Sequence, residues 1–323
     1  MTAETAELTQ SDTDCIPEHD WALWTYRIML GLGTSLVLAG IVFFFAYNWN
    51  AIHPFSKFGI VLGAMILCLA GVIVMKIDSL PGKLLLLSAS VLVGVFMAVF
   101  GQVYQTGADA YQLFMMWAIL TIGWTLISKF PTQWVFWLVV TNTFVLTYWY
   151  QEIGSSFGTK PLLYMILLGL NGVALILREV FLKLDFAWLN ERWTRIIGVL
   201  VILGISLIPL IWYIFSYGEF SHHSKAPRFL GLSALAGALA LAASLYVYRF
   251  QIKDLWAHAI SVIALWVVLE VAGARFLYLW LNAGKVESPG FLFLALLMTI
   301  GLVSGLAHYL RNLKSNMLKG EAS

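Results

Sequence analysis

Apolar runs of about 20 residues, the length needed to cross the hydrocarbon of a bilayer, recur from one end of the chain to the other. They are 25–46, 58–75, 84–103, 111–127, 134–150, 162–182, 195–215, 228–250, 255–274 and 290–310. No other feature constrains the fold as strongly. Of the 323 residues, 61% are hydrophobic and only 11% charged, and the mean hydropathy is +0.85. A soluble domain carries about 25% charged residues and could not hide this much apolar surface. Unpaired backbone is too costly in lipid for anything but helices or a closed barrel, and the alternating pattern of a barrel is missing. The expectation is an all-α membrane protein of about ten transmembrane helices.

Charge sets the orientation. Ten spans put both termini on one side of the membrane. With that side inside, it receives 13 of the 19 Lys and Arg residues and the outer side receives 6, the asymmetry expected of a cytoplasmic face. Both termini are therefore expected in the cytoplasm. The first 24 residues hold six acids and no Lys or Arg, so they read as a disordered cytoplasmic tail rather than a secretory signal. Four regions follow: the tail 1–24, a five-helix region 25–150, a second five-helix region 151–310 and a basic tail 311–323.

The net charge of +2 and the lack of a basic run exclude a nucleic-acid partner. Of the two cysteines, Cys15 lies in the polar tail and Cys68 in an apolar run, so no structural disulfide is expected. CxxC, HExxH and G-x-S-x-G patterns are absent. No catalytic residue, metal site or cofactor is expected.

Candidate site residues cluster at two outer turns. "FGQVYQTGADAYQLF" (100–114) joins the third and fourth spans and concentrates Gln102, Tyr104, Gln105, Thr106 and Asp109. Asp109 and Gln112 have the spacing of an N-terminal capping box, and the acid suits the positive end of a helix dipole. Gln102 and Gln105 lie three apart on nearly one face. An amide facing lipid is costly, so they belong against protein, as helix-to-helix bonds, or in a water-filled vestibule. "AYNWNAIHPFSKF" (46–58) adds Asn48 and His53, with Pro54 limiting the helix and Trp49 as an interface anchor.

The Asn-Trp pair of "AYNWNAI" after a Gly-rich first span, the Gly-Gln-x-Tyr-Gln-Thr-Gly run and the downstream Trp117 resemble the bacterial multi-pass family catalogued as domain of unknown function 2157. The resemblance covers roughly residues 25–150 and implies an integral inner-membrane protein. Members often carry a longer soluble N-terminal segment where this chain has a short acidic tail. No activity follows from it.

The ninth span contains Glu270 and Arg275. Five residues apart is poor spacing for an intrahelical pair, so each is expected to pair with another helix or to reach the headgroups. An acid within a span is also a candidate for proton- or solute-linked work. His258 reads as interfacial, and Arg178 and Glu179 as boundary charges. Glu219, His222 and His223 form an outer loop with a weak metal signal. Asn142 and Asn171 lie mid-span and must find partners. The connection "KLDFAWLNERWT" (183–194) reads as an interfacial segment with its aromatics at headgroup depth. Three functions fit: a transporter-like protein with an outer vestibule, a non-catalytic partner or assembly factor for envelope proteins, and, least supported, a lipid-modifying enzyme. The expected partners are the lipid bilayer and either a small solute or another membrane protein.

Overall fold

The computed structural model describes residues 21–47, 51–105, 107–154, 158–184, 186–216, 229–283 and 288–320. Among them there are ten α-helices and no strand: α1 (Trp21–Tyr47), α2 (Pro54–Met75), α3 (Leu80–Val103), α4 (Ala110–Ser128), α5 (Pro131–Tyr148), α6 (Lys160–Lys183), α7 (Arg192–Ser216), α8 (Leu230–Tyr246), α9 (Leu255–Ala283) and α10 (Ser288–Gly320). Eight are long and apolar enough to cross a membrane. The other two are α5 and α10. Within its 18 residues α5 carries Thr132, Gln133, Thr141, Asn142, Thr143 and Thr147. Within α10 an apolar helical stretch runs over Leu296–Tyr309 among the described residues.

Local chemistry sets the helix ends. Proline occupies the first turn of α2, α3, α5 and α6, where its missing N–H costs nothing. Ser79 caps α3 by accepting the Gly82 N–H at 3.1 Å. A side chain at Gly82 would meet the Lys76 carbonyl oxygen at 2.1 Å, so only glycine fits this entry. Two helices run on into π-helical turns, α5 through Trp149–Ile153 and α8 through Val247–Gln251. Such turns carry an extra residue per turn and recur at functional sites.

The chain divides into two compact units, residues 1–104 and 105–323. In the first, α3 supplies most of the core. Leu92 and Val99 pack with Val61 of α2, and Leu38 and Ile41 of α1 lie against them. None of the described residues of α1 is buried. In the second unit the core is formed by Val199 and Leu203 of α7, Leu241 of α8, Tyr248 of the π turn, and Ala257 and Ala264 of α9. Close approach is built on glycine: a side chain at Gly237 of α8 would sit 2.7 Å from the Ser206 carbonyl oxygen of α7. Pro209, buried inside α7, deprives the carbonyl one turn earlier of its helical donor.

Candidate functional site

In the first unit Gln102 is exposed near the end of α3. Tyr104, the residue after that helix, stacks its ring on Phe100 and Phe58. His53 precedes α2, is exposed, and stacks on Phe55 at 5.7 Å. Gln105 opens the second unit in a left-handed conformation, φ 45°, followed by Gly107 at φ 63°. Gln105 and Asp109 are exposed. Asn48 and Thr106 lie outside the described residues, as do Trp49, the acidic tail to residue 20, and the loop of Glu219, His222 and His223.

The expected capping box does not form. Asp109 has the extended backbone of an N-cap residue, but its side chain accepts no capping hydrogen bond. The Tyr111 N–H instead donates to Gln151 Oε1 of the π turn after α5, at 3.0 Å. The Gln112 amide donates to the Tyr111 hydroxyl rather than folding back on the cap. An acceptor distant in sequence outcompetes the local acid.

The charges of α9 are held by neighbours. Glu270 accepts a hydrogen bond from Thr299 of α10. Arg275 is buried and lies over the Tyr278 ring, 5.4 Å from its centroid. His258 is buried within the protein, and its Nε2 lies 3.1 Å from the Tyr309 hydroxyl of α10. Asn142 and Asn171 find one another: Asn171 Nδ2 donates to Asn142 Oδ1 at 2.7 Å and Asn142 Nδ2 to Asn171 Oδ1 at 3.2 Å, joining α5 to α6.

The densest chemistry lies where sequence reasoning saw only boundary charges. At the C-terminal end of α6, Arg178 and Glu179 enter an ion-pair network with Arg195 of α7 and Asp254, the residue before α9. Arg195 forks onto the Glu179 carboxylate, Nε to Oε1 at 2.9 Å and Nη2 to Oε2 at 3.0 Å. Its Nη1 reaches Asp254 Oδ2 at 2.7 Å. Glu179 also takes Arg178 Nη1 at 2.6 Å. The rest of the Arg178 guanidinium clamps the α6–α7 connection: Nε donates to Thr194 Oγ1 at 2.8 Å, and Nη2 to the Leu189 and Glu191 carbonyls at 3.0 Å each. That connection packs through Trp188, which stacks on Trp134 of α5 at 6.0 Å. Planar, forked donors suit this use of arginine.

Asp254 works with both oxygens. Oδ2 holds Arg195, while Oδ1 accepts the Trp256 and Ala257 N–H groups at 3.0 and 3.1 Å and so caps α9. Burial by itself raises its carboxyl pKa. The Ala257 N–H and the Arg195 guanidinium outweigh that and hold the group below the ordinary carboxylate range.

The network forms one wall of a cleft of about 460 Å³, with Glu179, Lys183, Asn190, Arg195 and Gln251 supplying polar groups and Phe186 an apolar side. The arrangement can bind a polar ligand; among the described residues no group of His, Cys, Asp and Glu is placed to hold a metal. Arg195, Asp254, Asn190 and Gln251 were missed as site residues. One signal was present. Asp254 directly precedes an apolar run, the pattern of an N-cap, and span counting puts it at the same membrane side as Arg178 and Arg195.

Long apolar helices, with few charges inside them and those of α9 held by neighbouring groups, define an integral membrane protein. Residues 3–134 match the family model described as "Predicted membrane protein (DUF2157)", the family whose resemblance the first two spans and the 101–107 run carry. The matched stretch takes in α1–α4 and ends short of every member of the ion-pair network. No curated protein and no solved structure matches the chain.

Proposed function

We propose that the chain is a transporter-like, non-enzymatic protein of the bacterial inner membrane that takes a small polar ligand at the Glu179–Lys183–Arg195–Gln251 cleft. The observation that carries the reading is the buried ion-pair network with one face on that cleft. Arg178 and Asp254 are buried and Glu179 and Arg195 half-buried. Taking charges even partly out of water is costly, and apolar residues of the same volume commonly serve stability as well or better. Charges at helix ends are ordinary when solvated. Here the buried Arg178 and Asp254, tied into one network beside a cleft, are what point to a ligand site. On the expected topology the cleft opens to the cytoplasm. On the same topology the exposed Gln105 and Asp109 lie on the outer side, where a polar opening is expected from sequence.

Gln251→Trp places an indole in the cleft without touching the ion pairs. In a strain deleted for the chain, the variant should accumulate as the wild type does and fail to restore the deletion phenotype. A solute that raises the unfolding midpoint of the purified wild type should leave the variant unmoved. Full complementation by Gln251→Trp at normal abundance overturns the proposal.

A partner or assembly role is favoured by a different observation. Gly31, Gly33 and Gly40 of α1 each face open space within the chain, and α1 buries none of its described residues. Small residues of this kind let another helix come close. Here Gly33→Leu with Gly40→Leu should abolish function while the Gln251→Trp variant keeps it.

A further inference from the structure

We infer that the cleft beside the ion-pair network takes a phosphate-bearing anion, the chemistry shared by an anionic phospholipid headgroup and a soluble phosphate ester. The inference rests on the cleft being a ligand site and names its ligand class. The charge balance is the first argument. Of the residues that line the cleft, Lys183 and Arg195 stand against Glu179, which leaves it with one positive charge in excess. The surrounding segments keep that sign. Residues 178–195 and 249–254 hold six basic side chains (Arg178, Lys183, Arg192, Arg195, Arg249, Lys253) and four acidic ones (Glu179, Asp185, Glu191, Asp254), a net +2.

Donor geometry is the second argument. The three bonds of Arg195 to Glu179 and Asp254 do not use all the N–H groups of a guanidinium, and that guanidinium lines the cleft. Lys183 contributes an ammonium and Asn190 an amide to the same walls. Glu179 does not repel an incoming anion as a free carboxylate would, because two guanidinium groups already hold it.

The third argument is the other half of the lining. Leu182, Phe186 and Ile252 are apolar. Phe250 and Trp256, next in sequence to the cleft, are 63% and 58% exposed. Exposed aromatics at the end of a membrane helix sit at headgroup depth. A ligand with an anionic head and a less polar body matches such a site, and about 460 Å³ is within the range of small-ligand pockets.

The test uses the full chain in nanodiscs, with Cys15→Ser and Cys68→Ala as background and Leu184→Cys, exposed beside the cleft but not lining it, carrying an environment-sensitive fluorophore. Discs of phosphatidylcholine alone give the baseline. One arm adds phosphatidylglycerol to the disc; another adds inorganic phosphate or glycerol 3-phosphate to the buffer; a third adds cationic and neutral polar solutes. A spectral shift in the first arm only identifies a lipid headgroup, and one in the second identifies a soluble phosphate ester. In either case Lys183→Gln should weaken the half-maximal response about tenfold, the loss of one charge-assisted hydrogen bond. A shift with cationic or neutral solutes alone overturns the phosphate assignment and leaves the cleft a ligand site. No shift in any arm overturns both. A phosphate response that Lys183→Gln leaves unchanged places the anion outside the cleft and also overturns the inference.

Discussion

The two units solve helix packing differently. In the first, contact is made by aliphatic and aromatic side chains along α3, and the buried hydroxyls of Ser88 and Ser90 bond back to carbonyls of their own helix. In the second, bonds run between helices: Arg195 of α7 to Glu179 of α6 and to Asp254, and Asn142 of α5 to Asn171 of α6. Close glycine contacts occur in both units: Gly71 of α2 lies against Leu85 in the first, and Gly198, Gly237, Gly273 and Gly305 lie against Leu175, Ser206, Met298 and Trp266 in the second, whereas Gly31, Gly33 and Gly40 of α1 meet nothing within 4 Å. Lipid offers no hydrophobic drive between helices, so apolar contact alone leaves their register loosely set. Directional ion pairs and amide bonds set it. Interhelical bonds of this kind set the register of the second unit, while in the first it is α1, with no described residue buried, that is left to accept neighbours.

This contrast can be broken. The largest effect is expected from Arg195→Ala, which removes the cation that Glu179 and Asp254 share and leaves Glu179 to Arg178 alone. A buried pair broken on one side costs about 3–5 kcal/mol, so the purified variant should show a sharply lower unfolding midpoint, with Arg195→Lys between the two. Next comes Gly237→Ala, whose methyl meets the Ser206 carbonyl oxygen at 2.7 Å. Overpacking of this kind costs about 1–3 kcal/mol, while Gly40→Ala in α1 should be neutral or gain up to about 1 kcal/mol from helix propensity. Equal losses at both positions, read as unfolding midpoints, would erase the difference between α1 and the second unit.

A smaller effect belongs to the amide pair. Asn171→Leu should cost about 1 kcal/mol, and the double change with Asn142→Leu should cost less than the sum of the single ones, as a double-mutant cycle would record. The smallest effect is a pH dependence. The Asp254 carboxyl is held below its unfolded value of about 4, so its contribution is complete above that pH and is lost as pH falls through the lower folded value. The stability difference between wild type and Asp254→Asn should be constant above about pH 5 and shrink below about pH 4.

How far the sequence could be read follows from what each feature depends on. Ten helices were legible because run length, proline and charge at the run ends are local: α4 was expected at 111–127 and is Ala110–Ser128, and α7 at 195–215 and is Arg192–Ser216. The π turns were not, since an extra residue in a helical turn leaves no periodic mark at Trp149–Ile153 or Val247–Gln251. Asn142 and Asn171 could be recognised as needing partners, though not as each other's. The Asp109–Gln112 cap failed for the same reason the network was missed: Gln151 and Asp254 act on residues 40 and 59 positions away. Glu179 and Arg195 looked like ordinary ends of spans because burial, not spacing, separates a site from a solvated charge.

The ion-pair network also has a history during synthesis. Arg195 meets Glu179 within one helical hairpin, but its second carboxylate is 59 residues downstream. At about 5–20 residues per second, the ribosome delivers it about 3–12 s later. For that interval the α6–α7 hairpin enters the bilayer with its arginine half-neutralised, and the arrival of the α8–α9 turn completes it. The network is therefore complete only once Asp254, the residue before α9, has been made. Nascent chains arrested after Tyr248 should stay extractable from the membrane by alkali more readily than chains arrested after Ala283.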